Sequence, residues 1–453
     1  MKLHSKRRSL FVRLESNPPL FFIVGYLIVI AIGAGLLSLP IASQSGEVTS
    51  LFDCIFVSTS AVCVTGLTPL VTAEHWTLFG QVVIILLIQL GGLGIMTAFA
   101  AFGLLTNYRF SMGDRRIMME EKGESGMTGM VKLIRYILFA TFLLEGIGAL
   151  LLSFDFIPSY GLKQGLWFSV FHSISAFCNA GFDLLGKVSL SDFSGNVLVI
   201  LTISFLIISA GLGFTVYRDL FHHENNNRIK LHTKLVLSMT AFLLIIGTLG
   251  IYVLEHNNPA TLAALDSEGE KLMNAFFQSV TTRTAGFFSI DQAALTTAGA
   301  LASIFLMFIG GSPGGAAGGI KTTTMLAVLL GASSEIRGAE DTPVFHRNIS
   351  KEVIHKSLMI FLIALFWCLA VIFILSVSEA GASLLDLTYE VVSGFATVGL
   401  SRNFTGLLSN FGKMMISATM LFGKIGPLTV MYAISPKEPK HKNRYGEERI
   451  LVG

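Results

Sequence analysis

The sequence predicts an all-α polytopic membrane protein of four span, pore loop, span repeats: eight transmembrane helices plus four re-entrant pore loops around one pseudo-fourfold ion pore. Three observations predict it. Of 453 residues, 52% are hydrophobic and 13% charged, against about a quarter charged in an ordinary soluble domain. Apolar runs long enough to cross roughly 30 Å of hydrocarbon as helices recur eight times. A glycine-centred motif recurs four times between them, at near-constant spacing.

The apolar runs fall near 20–39, 78–105, 133–153, 196–217, 235–254, 296–330, 358–378 and 410–434. The first follows Lys2, Lys6, Arg7, Arg8 and Arg13, yet it is long enough to span and lacks a clear small-residue cleavage site, so it reads as a retained helix. Basic residues then sort between alternate connections. The N-terminal tail, Arg109 to Arg135, Arg218 to Lys234, Arg337 to Lys356 and the tail from Lys437 to Arg449 hold 24 of the 32 lysines and arginines, which places those segments and both termini in the cytoplasm. The resulting division is a tail over 1–19, repeats over 20–105, 106–218, 219–334 and 335–434, and a tail over 435–453. Cys54, Cys63, Cys178 and Cys368 show neither metal spacing nor a disulfide framework. The ten histidines are scattered, with no HExxH and no readable Ser/His/Asp arrangement, so no enzyme is expected.

Each outer connection begins with a partly apolar, helix-length segment and ends in a glycine turn: SAVCVTGL to Leu67, SAFCNAGF to Phe182, VTTRTAGF to Phe287 and GFATVGLS to Ser401. The shared glycines, Gly66, Gly181, Gly286 and Gly399, are 115, 105 and 113 residues apart. All four repeats begin and end inside, so they stand around an axis along the membrane normal, unlike inverted repeats. A cation crossing hydrocarbon needs oxygens in place of its water, and rings of backbone carbonyls supply them without a fixed charge. Glycine permits the conformation that turns carbonyls inward. A short helix such as Leu51 to Ala61, entering from outside, aims its partly negative end at the centre. The side chains just before the glycines differ (Thr65, Ala180, Ala285, Val398), which suits main-chain ligands. The candidate ion ligands are therefore the main-chain oxygens of Cys63, Val64, Thr65 and Gly66; of Cys178, Asn179, Ala180 and Gly181; of Arg283, Thr284, Ala285 and Gly286; and of Ala396, Thr397, Val398 and Gly399. Arg283 puts a cation beside a cation path, and its side chain is expected to point away and tie the loop to carbonyls or a carboxylate.

Four degenerate repeats carrying TGL, AGF, AGF and VGL, a glycine-rich break in the third repeat and the late LFGKIGPLT resemble the Trk/Ktr/HKT superfamily of potassium transporters, most closely the bacterial Ktr membrane subunit. The resemblance covers nearly the whole chain. It implies potassium uptake across the bacterial plasma membrane through a four-glycine filter, because all four filter positions are glycine here and a serine at the first is associated with sodium permeation. It also implies a homodimer and a separate cytoplasmic ring of nucleotide-binding RCK-type subunits. No cofactor within the chain and no nucleic-acid partner are expected. Membrane lipid is, and anionic headgroups suit the basic loops and the PKEPKHKNRYGEER tail. Channel-like flow and sodium-coupled uptake are not separable in the sequence. The alternative, secondary transport of another cation or small solute, would need a midplane pocket on paired broken helices, whereas only one span looks plainly broken.

That span, 296–330, would make a helix of about 52 Å, too long for the bilayer even with tilt. GGSPGGAAGG at 310–319 places the break, and irregular backbone at membrane depth is tolerated where it is buried in protein or lines a cavity. The resemblance implies that 310–324 is an intramembrane gate below the filter, with Gly310, Gly311, Ser312, Pro313, Gly314, Gly315, Gly318, Gly319 and Lys321 as its working residues. Close helix packing through small residues is the competing reading. GGIKTT is no phosphate loop, because Ile320 separates glycine from lysine and the flanks are membrane helices. Lys321 either repels an ion in the cavity or pairs with a carboxylate. Lys424 is the other intramembrane cation, where family members carry an arginine facing the gating loop; lysine keeps the charge without the planar fork. Glu145 reads as the only carboxylate deep in a predicted helix, paired with a basic residue or contributing to an ion site.

Overall fold

The computed structural model describes residues 18–106, 118–119, 130–221 and 229–434. Residues 1–17, the whole tail over 435–453 and most of the Arg109 to Arg135 connection, on which the expected orientation rests, lie outside the described residues. The long helices fall into four sets of four. The first set is α1 (Pro18–Leu37), α2 (Leu51–Cys63), α3 (Leu78–Leu93) and α4 (Ile95–Leu105); the second is α5 (Met130–Tyr160), α6 (Leu162–Phe177), α7 (Val197–Leu212) and α8 (Phe214–Phe221). The third is α9 (Leu231–Glu255), α10 (Glu268–Thr281), α11 (Thr297–Phe308) and α12 (Thr322–Ile336), and the fourth is α13 (Lys351–Ser378), α14 (Leu384–Ala396), α15 (Asn410–Ile425) and α16 (Pro427–Ile434). A two-stranded antiparallel hairpin, β1 (Thr342–Val344) with β2 (Arg347–Ile349), joins the third set to the fourth.

Each set opens on a helix long and apolar enough to cross a membrane. Each of the other four expected spans is two helices meeting at a break, which corrects the expectation that only one span is broken. Gly94, Gly213 and Gly426 end α3, α7 and α15 with φ near 90° and ψ near 140° (87° and 146°, 87° and 143°, 93° and 137°). At Gly213 the axes of α7 and α8 turn by 88°. A left-handed φ of this size is open to glycine and costly for a residue with a Cβ. In the third set the break widens to residues 309–321, between α11 and α12.

Where the second span begins, all four sets use the same device. Thr77, Asn196, Thr296 and Ser409 cap α3, α7, α11 and α15, each accepting a hydrogen bond from the N–H three residues on. The capped helix then packs against the short helix of the next set: α3 on α6, α7 on α10, α11 on α14, and α15 back on α2. This last contact closes the bundle.

Small residues let the short helices approach the long ones. Ser58 Oγ donates to Ile30 O at 2.8 Å, Ser173 Oγ to Glu145 O at 2.6 Å and Ser279 Oγ to Leu244 O at 3.2 Å. Three residues on in each long helix stands a glycine: Gly33, Gly148 and Gly247. A Cβ on Gly148 would lie 2.5 Å from Ser173 Oγ and 2.6 Å from Leu206 Cδ1, and Gly33 and Gly247 meet Ser58 with Leu87, and Ser279 with Leu306, in the same way. This is the close approach that glycine allows between membrane helices. In the fourth set α13 and α14 pack instead through an apolar cluster that includes Ala364 and Val391. We therefore expect Gly148→Ala to destabilise the protein by roughly 1–3 kcal/mol, and Gly148→Ala with Ser173→Ala to recover part of that loss. Thermal unfolding in detergent of both singles and the double measures the coupling; strictly additive losses would mean the two residues do not meet.

Candidate functional site

Helices α2, α6, α10 and α14 each end on one of the glycine loops. Two residues before each glycine the backbone is left-handed, at Val64 (φ 57°), Asn179 (φ 58°), Thr284 (φ 69°) and Thr397 (φ 53°). The glycines are left-handed too, at 96°, 69°, 82° and 95° for Gly66, Gly181, Gly286 and Gly399. Alternation of hand makes successive N–H groups converge on one side and leaves the carbonyls on the other. The N–H groups face the helices. Thr65 N donates to Ser60 O (2.8 Å), Ala180 N to Ser175 O (2.7 Å), Ala285 N to Thr281 O (3.0 Å) and Val398 N to Ser393 O (2.8 Å). Gly66 N and Gly399 N donate to Ser60 Oγ and Ser393 Oγ at 3.0 and 3.1 Å. The hydroxyls of Ser175 and Thr281 donate to Phe182 O and Phe287 O just past their glycines.

The four loops meet in a ring. A Cβ on Gly66 would lie 2.6 Å from Ala180 O, one on Gly181 2.7 Å from Gly286 Cα, one on Gly286 2.7 Å from Val398 O, and one on Gly399 would strike Thr65 O. Each glycine thus touches the next loop, and the fourth touches the first. Thr65 Oγ1, Asn179 Oδ1 and Thr397 Oγ1 are buried at this level with no partner among the described residues. The structure turns the Arg283 side chain away from the ring, its guanidinium donating to Thr240 O and Oγ1 on α9 at 3.3 and 3.4 Å. Cys63 and Cys178 are buried and form no disulfide among the described residues.

A cavity of about 480 Å³ reaches the ring from the outer loops, lined by all four ring glycines with Asp183, Lys187, Ser401 and Asn403 among others. Burial pushes the Asp183 carboxyl up to about 6, against hydrogen bonds from Ser189, Leu185 and Gly186 that favour its charged form. Around the ring, ion pairs tie the sets together. Lys413 on α15 meets Asp53 on α2 at 2.7 Å. Arg402 meets Asp386 at 2.8 Å and donates to Gln292 O of the third loop at 2.9 Å.

On the other side of the ring lies 309–321. Gly318 stands against the Thr397 side chain, and a Cβ on Gly319 would lie 3.1 Å from Ala396 Cα. Ser312 N donates to Gly211 O at 2.9 Å, Pro313 O abuts Gly213, and Gly314 O accepts from Phe214 N at 3.4 Å. The segment is thus seated on the α7–α8 break. Its own ends are clipped together by Gly310 N to Ile320 O (2.9 Å), Thr322 N to Gly311 O (3.1 Å) and the Ser312 and Thr322 hydroxyls at 3.0 Å. Gly315 lies against Ala210 O. Lys424 Nζ donates to Ala316 O at 2.8 Å and Lys321 Nζ to Ala317 O, so both lysines hold carbonyls of the segment.

Glu145 requires two corrections. Its carboxylate accepts from the Gln89 amide at 3.0 Å and stands 3.9 Å from the Cys178 thiol, so the hydrogen-bond partners found are neutral instead of basic. Nor is it the only deeply buried carboxylate. Glu390 on α14 accepts from Ser401 and Thr405 (2.7 and 2.6 Å), and Glu255 at the end of α9 accepts from Thr296, Thr261 and Asn258. Both residues are fully buried. Sequence reading also missed His172 on α6, which bridges Phe168 O and Leu184 N behind the second loop. The serines six before Gly66, Gly181 and Gly399 were a readable signal; Thr281 shifts by one in the third repeat.

A helical bundle in which four described helices are long and apolar enough to cross a membrane is that of a polytopic membrane protein. The chain belongs to the TrkH family of cation transport proteins, whose model matches residues 16–444. It is a transporter and not an enzyme. It is 40% identical over 98% of its length, and 98% of the relative's, to the potassium/sodium uptake protein NtpJ of Enterococcus hirae. It is 37% identical to the Ktr system potassium uptake protein B of Bacillus subtilis, over 96% of this chain and 97% of that one. The crystal structure of the potassium transporter TrkH from Vibrio parahaemolyticus shares the fold, with a TM-score of 0.74 at 18% identity over 91% of this chain and 84% of that chain.

Because Ser60 and Ser393 accept the N–H of a ring glycine, Ser60→Ala and Ser393→Ala should each strand a buried donor at a cost of roughly 1–3 kcal/mol. Thermal unfolding checks this, and unchanged midpoints would mean those N–H groups do not depend on the hydroxyls.

Proposed function

We propose that this chain takes up potassium across the bacterial plasma membrane through a pseudo-fourfold filter centred on Gly66, Gly181, Gly286 and Gly399, with 310–324 as a gate beneath it. The observation that carries the reading is the closed ring of loops whose N–H groups are engaged by their own helices. The main-chain oxygens of Cys63 to Gly66, Cys178 to Gly181, Arg283 to Gly286 and Ala396 to Gly399 are the ligands that replace the ion's water. The printed functions of the relatives, potassium/sodium uptake and potassium uptake, support the choice of ion. The segment's seat against Thr397 and Ala396 supports its role as the gate. Both termini are cytoplasmic in this reading, where a ring of nucleotide-binding RCK-type subunits meets a homodimer of the chain; the family resemblance supports these partners.

A secondary transporter of another solute is the weaker reading. Since all four second spans are broken, a lone break no longer argues against it. What favours the filter is fourfold repetition of main-chain contacts, whereas the cavity flanked by Lys321 and Lys424 is lined, among the described residues, by the first, third and fourth sets.

The test is potassium and sodium uptake by a cell lacking its own high-affinity systems, with sodium present or absent. In Gly66→Ser a side chain enters at φ 96°, against Ala180 O. The expected result is a loss of potassium preference over sodium of about tenfold, equivalent to about 1.4 kcal/mol; unchanged preference would remove the filter assignment. Sodium dependence in the parent decides whether uptake is coupled. Deleting 312–319 should raise flux in the absence of the cytoplasmic partner, and a slower or silent protein would argue that the segment only packs helices.

A further inference from the structure

We propose that His172, Gln278 and Glu390 are positioning residues of ion selection: each holds the outgoing limb of its own loop, so that the second, third and fourth limbs form one hydrogen-bonded frame and the first loop is left as the adjustable member of the ring. The role in selection rests on the filter reading given above. The three residues occupy one place on their short helices. Each stands three before the residue whose carbonyl takes the loop N–H, namely Ser175, Thr281 and Ser393, and each is fully buried. Val57 has the same place before Ser60 in α2, equally buried but with no polar atom in its side chain.

What these side chains hold is the stretch of chain that leaves each ring glycine. His172 Nδ1 lies 2.7 Å from Phe168 O, so that nitrogen carries the proton, and Nε2 accepts from Leu184 N at 3.3 Å. Gln278 and Gln292 form a reciprocal amide pair at 2.7 and 3.0 Å. Glu390 accepts from the hydroxyls of Ser401 and Thr405 at 2.7 and 2.6 Å. The held limbs are also tied to one another. Leu190 N donates to Phe288 O at 2.9 Å, which joins the second limb to the third. Tyr389 OH and Arg402 Nη1 donate to Gln292 Oε1 and Gln292 O at 2.8 and 2.9 Å, which joins the third limb to the fourth set. In the first limb, by contrast, the Thr68 hydroxyl bonds Leu70 O and Leu70 N of the same turn. Among the described residues no hydrogen bond runs from 67–71 to another limb or to the side chain of a short helix.

A ring of oxygens tells one monovalent cation from another by the spacing and the field of those oxygens. The spacing is kept only as well as the groups behind each loop are held, since displacements of about 0.5 Å already matter at such a site. Three loops fixed to one frame set the width of the ring from three sides. The remaining side is closed by a limb bonded to itself, which adjusts to the ion that the frame admits. Removing an anchor leaves a buried donor such as Leu184 N or the Thr405 hydroxyl without its partner, and the limb moves to find another.

The experiment combines ion uptake, in the cell assay given above, with amide hydrogen exchange of the purified parent chain in detergent. The expected uptake result is a several-fold loss of potassium preference over sodium in Glu390→Leu and His172→Leu, with most of it restored in Glu390→Gln and His172→Gln, whose amide oxygens accept from the same groups. A role in folding alone would lower the amount of protein and leave the preference unchanged. The expected exchange result is that amides of 67–71 exchange about tenfold faster than those of 182–190, 287–292 and 400–405. Equal exchange in all four limbs overturns the proposal, whether or not the leucine variants fold. So does an unchanged preference in folded leucine variants while Gly66→Ser loses it. Unchanged preference in Gly66→Ser itself is a failure of the filter reading, and the exchange difference between the limbs stands without it.

Discussion

The whole arrangement depends on how backbone N–H groups are satisfied at membrane depth. With no water to take them, each must find a partner inside the protein. At the four loops that partner is the preceding short helix, through Ser60, Ser175, Thr281 and Ser393. Once the N–H groups are committed to one side, the carbonyls are left on the other, and in the proposed filter these are the oxygens that face the ion. The helices have to come close enough for the loops to touch, which is what the contacts of Ser58, Ser173 and Ser279 beside Gly33, Gly148 and Gly247 provide. The helix packing and the ring are thus one constraint at two radii.

The four sets are not equivalent, and their differences follow the same logic. Ser60 and Ser393 accept the glycine N–H, whereas Ser175 and Thr281 donate to the carbonyl beyond. Charge enters where the ring needs bracing: Lys413 with Asp53 joins last set to first, and Arg402 with Asp386 and Gln292 O joins fourth loop to third. Arg283, next to the ring in sequence, is spent on α9. No single tie is repeated four times, yet every neighbouring pair of loops is held by glycine contact.

Much of this was legible in the sequence. Apolar length located the spans, and a glycine every hundred residues or so located the loops. The breaks at Gly94, Gly213 and Gly426 were hidden because glycine does not interrupt an apolar run; GGLG and AGLG read as more helix, and only the third break, swollen to GGSPGGAAGG, exceeded what one span can hold. Glu390 and Glu255 were hidden for another reason. Glu390 sits in a short, partly apolar helix and Glu255 ends an apolar span, and the hydroxyls that satisfy them, such as Thr405 and Thr296, come from separate segments. Glu145 stood out against its apolar helix, but its neutral partners, Gln89 and Cys178, belong to other elements.

In the proposed reading, the make-up of the third break lets control sit there apart from selection. Residues 310–319 are glycine, alanine, serine and proline, so this stretch buries little apolar side chain, and its seat consists mainly of hydrogen bonds such as Ser312 N to Gly211 O, Phe214 N to Gly314 O and Lys424 Nζ to Ala316 O. At about 0.5–1.5 kcal/mol net for each, such a seat amounts to a few kcal/mol. Carrying a two-state element from nearly closed to nearly open takes about 5.5 kcal/mol of differential binding, which is within reach of one partner or of two weaker ligands together. The ring glycines, by contrast, are locked by their neighbours' main chain on every side. In the proposed gating role, the segment lying against Thr397 moves while the carbonyls above it stay where the short helices hold them.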